Sequence, residues 1–254
     1  MRNIAQRHRV ILNELKKRGY VRVQDLSKKL KVSEVTIRKD LKVLEERRLL
    51  FRNHGSASQM SSLISDRHID EKEKVQVQEK SRIADAANLL LEKNDRIIIA
   101  SGTTLLYFAQ QLSFADPITV ITSSLKVSLM LSYKPNIQII QLGGEIRTSS
   151  GSVIGMQSES FLNDLTCNKL FVGVDGIDMD FGLTTSSLDE AHLNKCMIKS
   201  AQEVIVLADS SKFGKRGFGK ICDVNAIQRI ITDTNAPASA VAQMKQMGIL
   251  VDLV

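Results

Sequence analysis

The run Val32-Ser33-Glu34-Val35-Thr36-Ile37-Arg38-Lys39-Asp40-Leu41 constrains the fold of this chain more than any other stretch. Ser33 is a natural N-cap, because its hydroxyl accepts a hydrogen bond from a first-turn amide that the helix cannot satisfy itself. Ile37, Leu41 and Leu44 recur at helical spacing and give the helix one apolar stripe. A helix built this way buries the stripe and leaves Thr36, Arg38, Lys39 and Lys42 facing outward. Upstream, Ile4, Val10, Ile11 and Leu15 mark a first helix that ends at Arg18-Gly19, with the glycine as C-cap. Tyr20-Val21-Arg22-Val23 reads as a short β stretch, Asp25 as the cap of a second helix carrying Leu26 and Leu30, and Lys31-Val32 as a tight turn. Two helices joined by so short a turn predict a helix-turn-helix. Leu49-Leu50-Phe51 followed by the polar tip Arg52-Asn53-His54-Gly55 predicts a β-wing.

The charge distribution fits that reading. Residues 1–56 hold 16 Lys and Arg against 6 Asp and Glu; by difference from 35 and 28, the rest of the chain holds 19 against 22. A basic module joined to a mildly acidic one is the asymmetry expected when only the first part meets a polyanion. An outward Arg bonds guanine edges in the major groove of duplex DNA, and Lys bonds guanine or phosphate. Arg52 and His54 would lie beside the backbone or in the minor groove. An RNA-binding module would more often present exposed aromatic platforms, which this segment lacks.

Cys167, Cys196 and Cys222 are odd in number and widely spaced, and His8, His54, His68 and His192 are scattered. Neither set has ligand spacing, so neither a metal nor a cofactor is predicted, and free thiols fit a reducing cytoplasm. No apolar run approaches membrane-spanning length and the N-terminus lacks a signal-peptide core, so a cytoplasmic protein with no membrane partner is expected.

Residues 56–75 are small and polar, then charged, and are read as a boundary: a DNA-binding domain over 1–57, a linker over 58–75 and a second domain over 76–254. From about residue 76, apolar strands alternate with helical patterns. Strands are predicted over 96–100, 118–121, 137–142, 170–174, 204–207, 230–231 and 250–253, with helices between the early ones. Such alternation implies a parallel sheet covered on both faces, where ligands bind beyond the C-terminal strand ends. Ser101-Gly102-Thr103-Thr104 follows the first strand and opens a helix, which makes it a phosphate cradle. Thr122-Ser123-Ser124 stands in the same place after the next strand, as ligand contact or as a simple N-cap. Gly143-Gly144-Glu145 follows the third, where either close ligand approach or a positive φ explains the glycines. Asp175, in Gly173-Val174-Asp175-Gly176-Ile177-Asp178, is placed to accept sugar hydroxyls, with Asp178 shaping the loop. Lys195 and Lys212 are candidates to neutralise a phosphate, Lys212 the better because it follows a strand end.

Val32-Ser33-Glu34, Thr36-Ile37-Arg38-Lys39-Asp40-Leu41 and Arg52-Asn53-His54-Gly55-Ser56-Ala57 together resemble the signature of the DeoR-type bacterial transcription regulators. The family usually has Arg at the position of Lys39 and Gly at that of Ser56; Lys39 keeps the charge but loses the bidentate fork. The later clusters resemble the same family, so the likeness covers essentially the whole chain. It implies an α/β protein in which a winged helix-turn-helix is joined to a parallel-sheet sensor domain similar to ribose-phosphate isomerases. It further implies a repressor of a sugar-utilisation operon, released by a phosphorylated sugar; because one DNA-binding module of this size covers too little DNA for tight specific binding, a homodimer or higher homo-oligomer is expected. Ser33, Thr36, Arg38, Lys39, Lys42, Arg52 and His54 are then the expected contacts to the duplex DNA operator. Ser101, Gly102, Thr103, Thr104, Thr122, Ser123, Ser124, Gly143, Gly144, Asp175 and Lys212 are the expected effector pocket. Gly182-Leu183-Thr184-Thr185 with Glu190-Ala191 is most similar to the branch that includes regulators of amino-sugar and hexitol use.

The alternative is an isomerase-like enzyme, since Asp175-Gly176 resembles the acidic loop that moves protons in sugar-phosphate isomerases. Ile177-Asp178 follows without the further acidic residue of the ribose-phosphate enzymes, and a DNA-binding module is superfluous to catalysis. The regulator reading is therefore preferred.

Overall fold

The computed structural model of the protein describes residues 3–18, 20–47, 49–53, 55–59, 64, 66–113 and 115–254. It separates into two compact units, Met1–Leu63 and Ile64–Val254. The first contains α1 (Ile4–Arg18), β1 (Tyr20–Arg22), α2 (Val23–Leu30), α3 (Glu34–Glu46), β2 (Leu50–Asn53) and β3 (Ser56–Gln59). The strands form an antiparallel sheet in the order β1-β3-β2, so the β2–β3 hairpin is the expected wing. Ile11, Leu15, Leu26, Leu30, Ile37, Leu41 and Leu44 pack into one core. The turn between α2 and α3 is made by Lys31 in the left-handed region, at φ 54°.

The start of α2 corrects the expectation at Asp25. The helix begins at Val23, and its N-cap Arg22 makes no side-chain cap bond. Asp25 sits inside the first turn, where its charge still favours the positive end of the helix. The expected C-cap Gly19 and the wing residue His54 lie outside the described residues, as does the side chain of Arg52.

The second unit contains α4 (Ile69–Glu73), α5 (Val77–Asn88), β4 (Arg96–Ile99), α6 (Thr103–Gln111), β5 (Ile118–Thr122), α7 (Leu125–Leu131), β6 (Ile137–Gln141), β7 (Glu145–Arg147) and β8 (Ser152–Ile154). It continues with α8 (Met156–Asn163), β9 (Cys167–Val172), β10 (Gly176–Asp178), β11 (Gly182–Thr185), α9 (Leu188–Lys199), β12 (Ala201–Leu207), β13 (Gly219–Cys222), β14 (Arg229–Thr232), α10 (Ala238–Gln246) and β15 (Leu250–Leu253). Seven strands form one sheet in the order β15-β14-β12-β9-β4-β5-β6, and every pairing in it is parallel.

Successive strand residues feed opposite faces of this sheet, the period-two rule that makes buried parallel strands apolar throughout. Ile97, Ile99, Phe171, Ile205 and Leu207 join α5, α6 and α7 in one core. Ile98, Leu170, Val172, Val204 and Val206 join α8, α9 and α10 in the other. Phe108 of α6 packs on Phe171 of β9 with ring centroids 4.5 Å apart. A small antiparallel sheet, β10-β11-β13, and the β7–β8 hairpin complete the unit. Strand order reverses between β4 and β9, which are neighbours although four strands separate them in sequence. That switch point opens a crevice at the carboxyl ends of the two strands.

Candidate functional site

In the first unit, Ser33 caps α3 as the sequence implies: its Oγ accepts the Thr36 amide at 3.2 Å. Val35, Arg38, Lys39 and Lys42 are exposed, while Ile37, Leu41 and Leu44 are buried on the opposite stripe. Among the described residues Arg38 pairs only with Glu34, one turn back, at 2.9 Å. An exposed pair of this kind holds its arginine weakly. What holds α3 from beneath could not be read from its own residue pattern. Asp40 is 5% exposed; it accepts Arg7 Nε at 2.8 Å and Arg7 Nη2 at 2.9 Å, and faces His8 Nε2 at 3.2 Å. A buried carboxylate thus ties the outward helix to α1.

In the second unit, a cleft of about 610 Å³, counted to its open mouth, lies at the switch point. Ser101, Gly102, Thr103 and Thr104 line it from the β4 end, Gly173 to Asp175 from the β9 end, and Lys212 from the segment after β12. Gly102 has φ +138°, a conformation that L side chains rarely adopt. Among the described residues, the amides of Gly102, Thr103 and Thr104 donate to no protein acceptor. These amides and the positive helix end form an anion cradle. Four cations line the cleft, Arg67, Lys72, Arg147 and Lys212, against two carboxylates, Asp175 and Glu190.

Both carboxylates are already partnered. Asp175 Oδ1 accepts Lys72 Nζ at 3.0 Å, and its Oδ2 accepts the Ser186 amide at 3.1 Å. Burial pushes its carboxyl up, but Lys72, Lys212 and the Ser186 amide together outweigh burial and leave it below the usual range. Glu190 Oε1 meets Arg147 Nη1 at 3.2 Å. The Thr185 hydroxyl lies 3.1 Å from Glu190 Oε2 and 3.3 Å from Asp175 Oδ2, between the two acids. Arg67 and Lys212, by contrast, make no side-chain hydrogen bond or ion pair among the described residues.

The remaining effector candidates are placed elsewhere. Thr122, Ser123 and Ser124 are buried under the β7–β8 hairpin and do not line the cleft. Thr122 Oγ1 accepts the Ser124 amide, Ser123 O accepts the Val153 amide, and Ser124 Oγ caps α7. Gly143 and Gly144 also fall outside the lining. Gly144 has φ +148° and a Cβ there would collide with Ile154 O, so turn geometry and the approach of β8 account for it. Gly143 O accepts the Ser158 hydroxyl at 2.6 Å. Lys195 is exposed on α9, outside the lining. Asp178 is held by Arg216 at 2.7 and 3.0 Å and caps the β10–β11 turn, so it offers no second acid to Asp175.

Residues Asp66–Val75, read from sequence as the end of the linker, form a strap that is one wall of the cleft. Asp66 accepts Arg147 Nη2, Ser149 Oγ at 2.9 Å and Ser186 Oγ at 3.0 Å. Ile69 is buried and its amide bonds Ser149 O at 2.8 Å. Lys72 reaches Asp175, and Lys126 pairs with Asp70 and Glu73. Lys80, 2% exposed, donates to Lys72 O and Val75 O at 2.5 Å each and so pins the end of α4. Burial brings its pKa down to about 8 from 10.5, with Lys212 adding to the shift. A lysine depressed in the fold binds fewer protons than it does unfolded, so its stability penalty is complete below pH 8 and is relieved as pH rises toward 10.5. The stability of wild type minus that of Lys80→Met is expected to climb across that window, by at most about 1.4 kcal/mol per pH unit. Paired denaturant titrations at pH 7.5 and 9.5 measure it.

Burial pushes the thiols of Cys167 and Cys222 up to about 11 and about 12, so both are inert near neutrality. Among the described residues, no cluster of metal-ligating side chains occurs and no helix is long and apolar enough to cross a membrane.

Comparison with known proteins fits this geometry. The DeoR-like helix-turn-helix domain model matches residues 7–62, and the DeoR C terminal sensor domain model matches residues 75–234. The HTH-type transcriptional regulator YulB of Bacillus subtilis is 36% identical over 251 residues, covering 99% of this chain and 97% of its own. A putative aga operon transcriptional repressor of Escherichia coli O157:H7 is 33% identical, covering 98% and 94%. The glycerol-3-phosphate regulon repressor of Escherichia coli K12 is 30% identical and covers 98% of both chains. Among solved structures, ribose 5-phosphate isomerase A of Methanocaldococcus jannaschii overlaps 54% of each chain at 18% identity and a TM-score of 0.40, too distant to speak for chemistry. These sequence relatives are regulators or repressors of transcription, and so is this chain rather than an enzyme. With both domain models aligned in order and relatives matched along nearly the whole length, the protein belongs to the DeoR family of transcription regulators.

Proposed function

We propose that this regulator represses a sugar-utilisation operon and is released by a phosphorylated sugar bound in the cleft. One observation carries the reading: four cations against two already-paired carboxylates, set around free helix-terminal amides at the switch point. A phosphate dianion matches that imbalance. The names of relatives point the same way: the aga operon, the glycerol-3-phosphate regulon and a lactose phosphotransferase system.

Release runs through the strap. Arg147 and Asp175 belong to the cleft and are also where Asp66 and Lys72 anchor. A ligand that draws on those groups weakens the anchors of the segment that continues, at its N-terminal end, into the DNA-binding unit. Duplex DNA is bound through Thr36, Arg38, Lys39 and Lys42 on the outward face of α3, and by the β2–β3 wing with Arg52 and His54. One module of this size covers little DNA, so a homodimer on paired half-sites is the working unit.

The test is selection of bound sequences from a random duplex library, followed by gel-shift titration of the selected site with sugar phosphates. A site that no sugar phosphate releases removes the reading. On that site Arg38→Ala should cost about 1–3 kcal/mol and relax sequence preference if Arg38 reads a base. Its loss should hardly change stability, because its one partner among the described residues is Glu34, in a pair at the surface. Unchanged operator affinity in that variant takes Arg38 off the reading surface.

A further inference from the structure

We infer that Asn194 reads the sugar end of the ligand and sets which phosphorylated compound the cleft accepts; this rests on the cleft being a sugar-phosphate site. Asn194 lies on α9 one turn beyond Glu190, lines the cleft, and is 8% exposed. Its side-chain amide makes no hydrogen bond among the described residues. The other polar groups on its side of the cleft are engaged: Glu190 takes Arg147, Thr185, Ser101 and Ser152, and Asp175 takes Lys72, Thr185 and Ser186.

The sealed, unpartnered polar atoms among the described residues are Asn88 Oδ1, Arg229 Nε and Thr232 Oγ1, so the Asn194 amide is instead open to the cleft, where a ligand that displaces water has to replace its hydrogen bonds. A side chain that both donates and accepts, without charge, suits a hydroxyl or carbonyl rather than a phosphate. The phosphate already has its complement in the amides of Gly102 to Thr104 and the charge of Lys212. Thr103 and Thr104, 8% and 5% exposed, also line the cleft, with hydroxyls that make no hydrogen bond among the described residues. The unsatisfied groups of the cleft therefore fall into two chemistries, an anion-binding end at Gly102 to Thr104 and Lys212 and a neutral polar end at Asn194. A site that leaves a buried polar group unpaired when the wrong ligand enters discriminates strongly against that ligand.

The experiment is calorimetric titration of the full chain, wild type, Asn194→Ala and Asn194→Leu, with inorganic phosphate, glycerol 3-phosphate, fructose 6-phosphate and glucosamine 6-phosphate. Wild type should bind at least one of the three phosphate esters more tightly than inorganic phosphate. Both variants should lose about tenfold in that affinity and change by less than about twofold toward inorganic phosphate. Because the amide has no partner among the described residues, ligand-free Asn194→Leu should melt at or above the wild-type temperature. Variants that keep the wild-type preference overturn the assignment, as does a lowered melting temperature in both variants, which marks a packing residue. A wild type that binds inorganic phosphate but prefers no ester also overturns it, while leaving the anion cradle standing. A wild type that binds none of the four compounds takes down the sugar-phosphate reading of the cleft along with the assignment.

Discussion

Thr103→Ala combined with Lys212→Ala is expected to leave operator affinity unchanged and to abolish the response to sugar phosphate. In the wild type, ligand should weaken operator binding by about 5–150-fold, the range of ordinary coupling between two sites. Among the described residues Lys212 makes no side-chain hydrogen bond or ion pair, its charge acting on Asp175 only through space, and the Thr103 hydroxyl makes no hydrogen bond. Removing both therefore strips the phosphate cradle of a charge-assisted bond and a hydroxyl without leaving a buried group stranded. A charge-assisted bond alone is worth about 1.5–3 kcal/mol. The ligand-dependent shift in a gel-shift titration should then shrink to less than about twofold at the same ligand concentration. A double variant that responds normally places the effector elsewhere. A wild type that grips DNA more tightly with ligand reverses the sign of the proposed control.

Asp40→Ala should unfold the DNA-binding unit selectively. Its carboxylate is buried and receives both Arg7 and His8. Deleting the carboxylate removes the charge that Arg7 and His8 meet beneath α3, and losing one member of a buried ion pair costs about 3–5 kcal/mol. That is a large share of what a module of this size possesses. A calorimetric scan should show the transition of Met1–Leu63 lowered or lost while that of Ile64–Val254 stays in place. Operator binding should vanish, yet sugar phosphate should still raise the melting temperature of the sensor unit. A variant that keeps its operator affinity and both transitions shows that α3 does not depend on this anchor.

How much of this was legible in the sequence follows from what each element buries. Six strands of the large sheet were readable because each carries apolar residues for both cores, as Ile97, Ile98 and Ile99 do in β4, and the edge strand β15 was readable as an apolar run although only its Val251 packs into a core. Helix α3 announces itself through Ser33 and its stripe. The three-residue strands β7, β8 and β10 were not readable, since Gly176-Ile177-Asp178 carries no periodic signal.

The site divides in the same way. Ser101 to Thr104, Asp175 and Lys212 each follow a strand and line the cleft, yet Thr122 to Ser124 obey that rule equally and lie under a hairpin. Strand order separates the two cases: β4 and β9 flank the switch point and β5 does not, and no local pattern encodes strand order. Arg147, Lys72, Glu190 and Asn194 were missed for a related reason. They come from a hairpin, a strap and a helix face, and they meet their partners only through the folded topology; Lys72 and Asp175 are 103 residues apart in sequence.

The strap has one more consequence, for dose. If sugar phosphate displaces Asp66 and Lys72 from their anchors and the operator favours the anchored form, the two equilibria are reciprocal. The metabolite concentration that half-fills the cleft is then not a constant of the cleft. Protein seated on its operator should need about 5–150-fold more sugar phosphate than protein free in solution. Excess regulator away from DNA fills first, as a buffer, and the operon opens only once the metabolite has risen past it. The abundance of the protein, as much as the chemistry of its pocket, would set the threshold at which the cell responds.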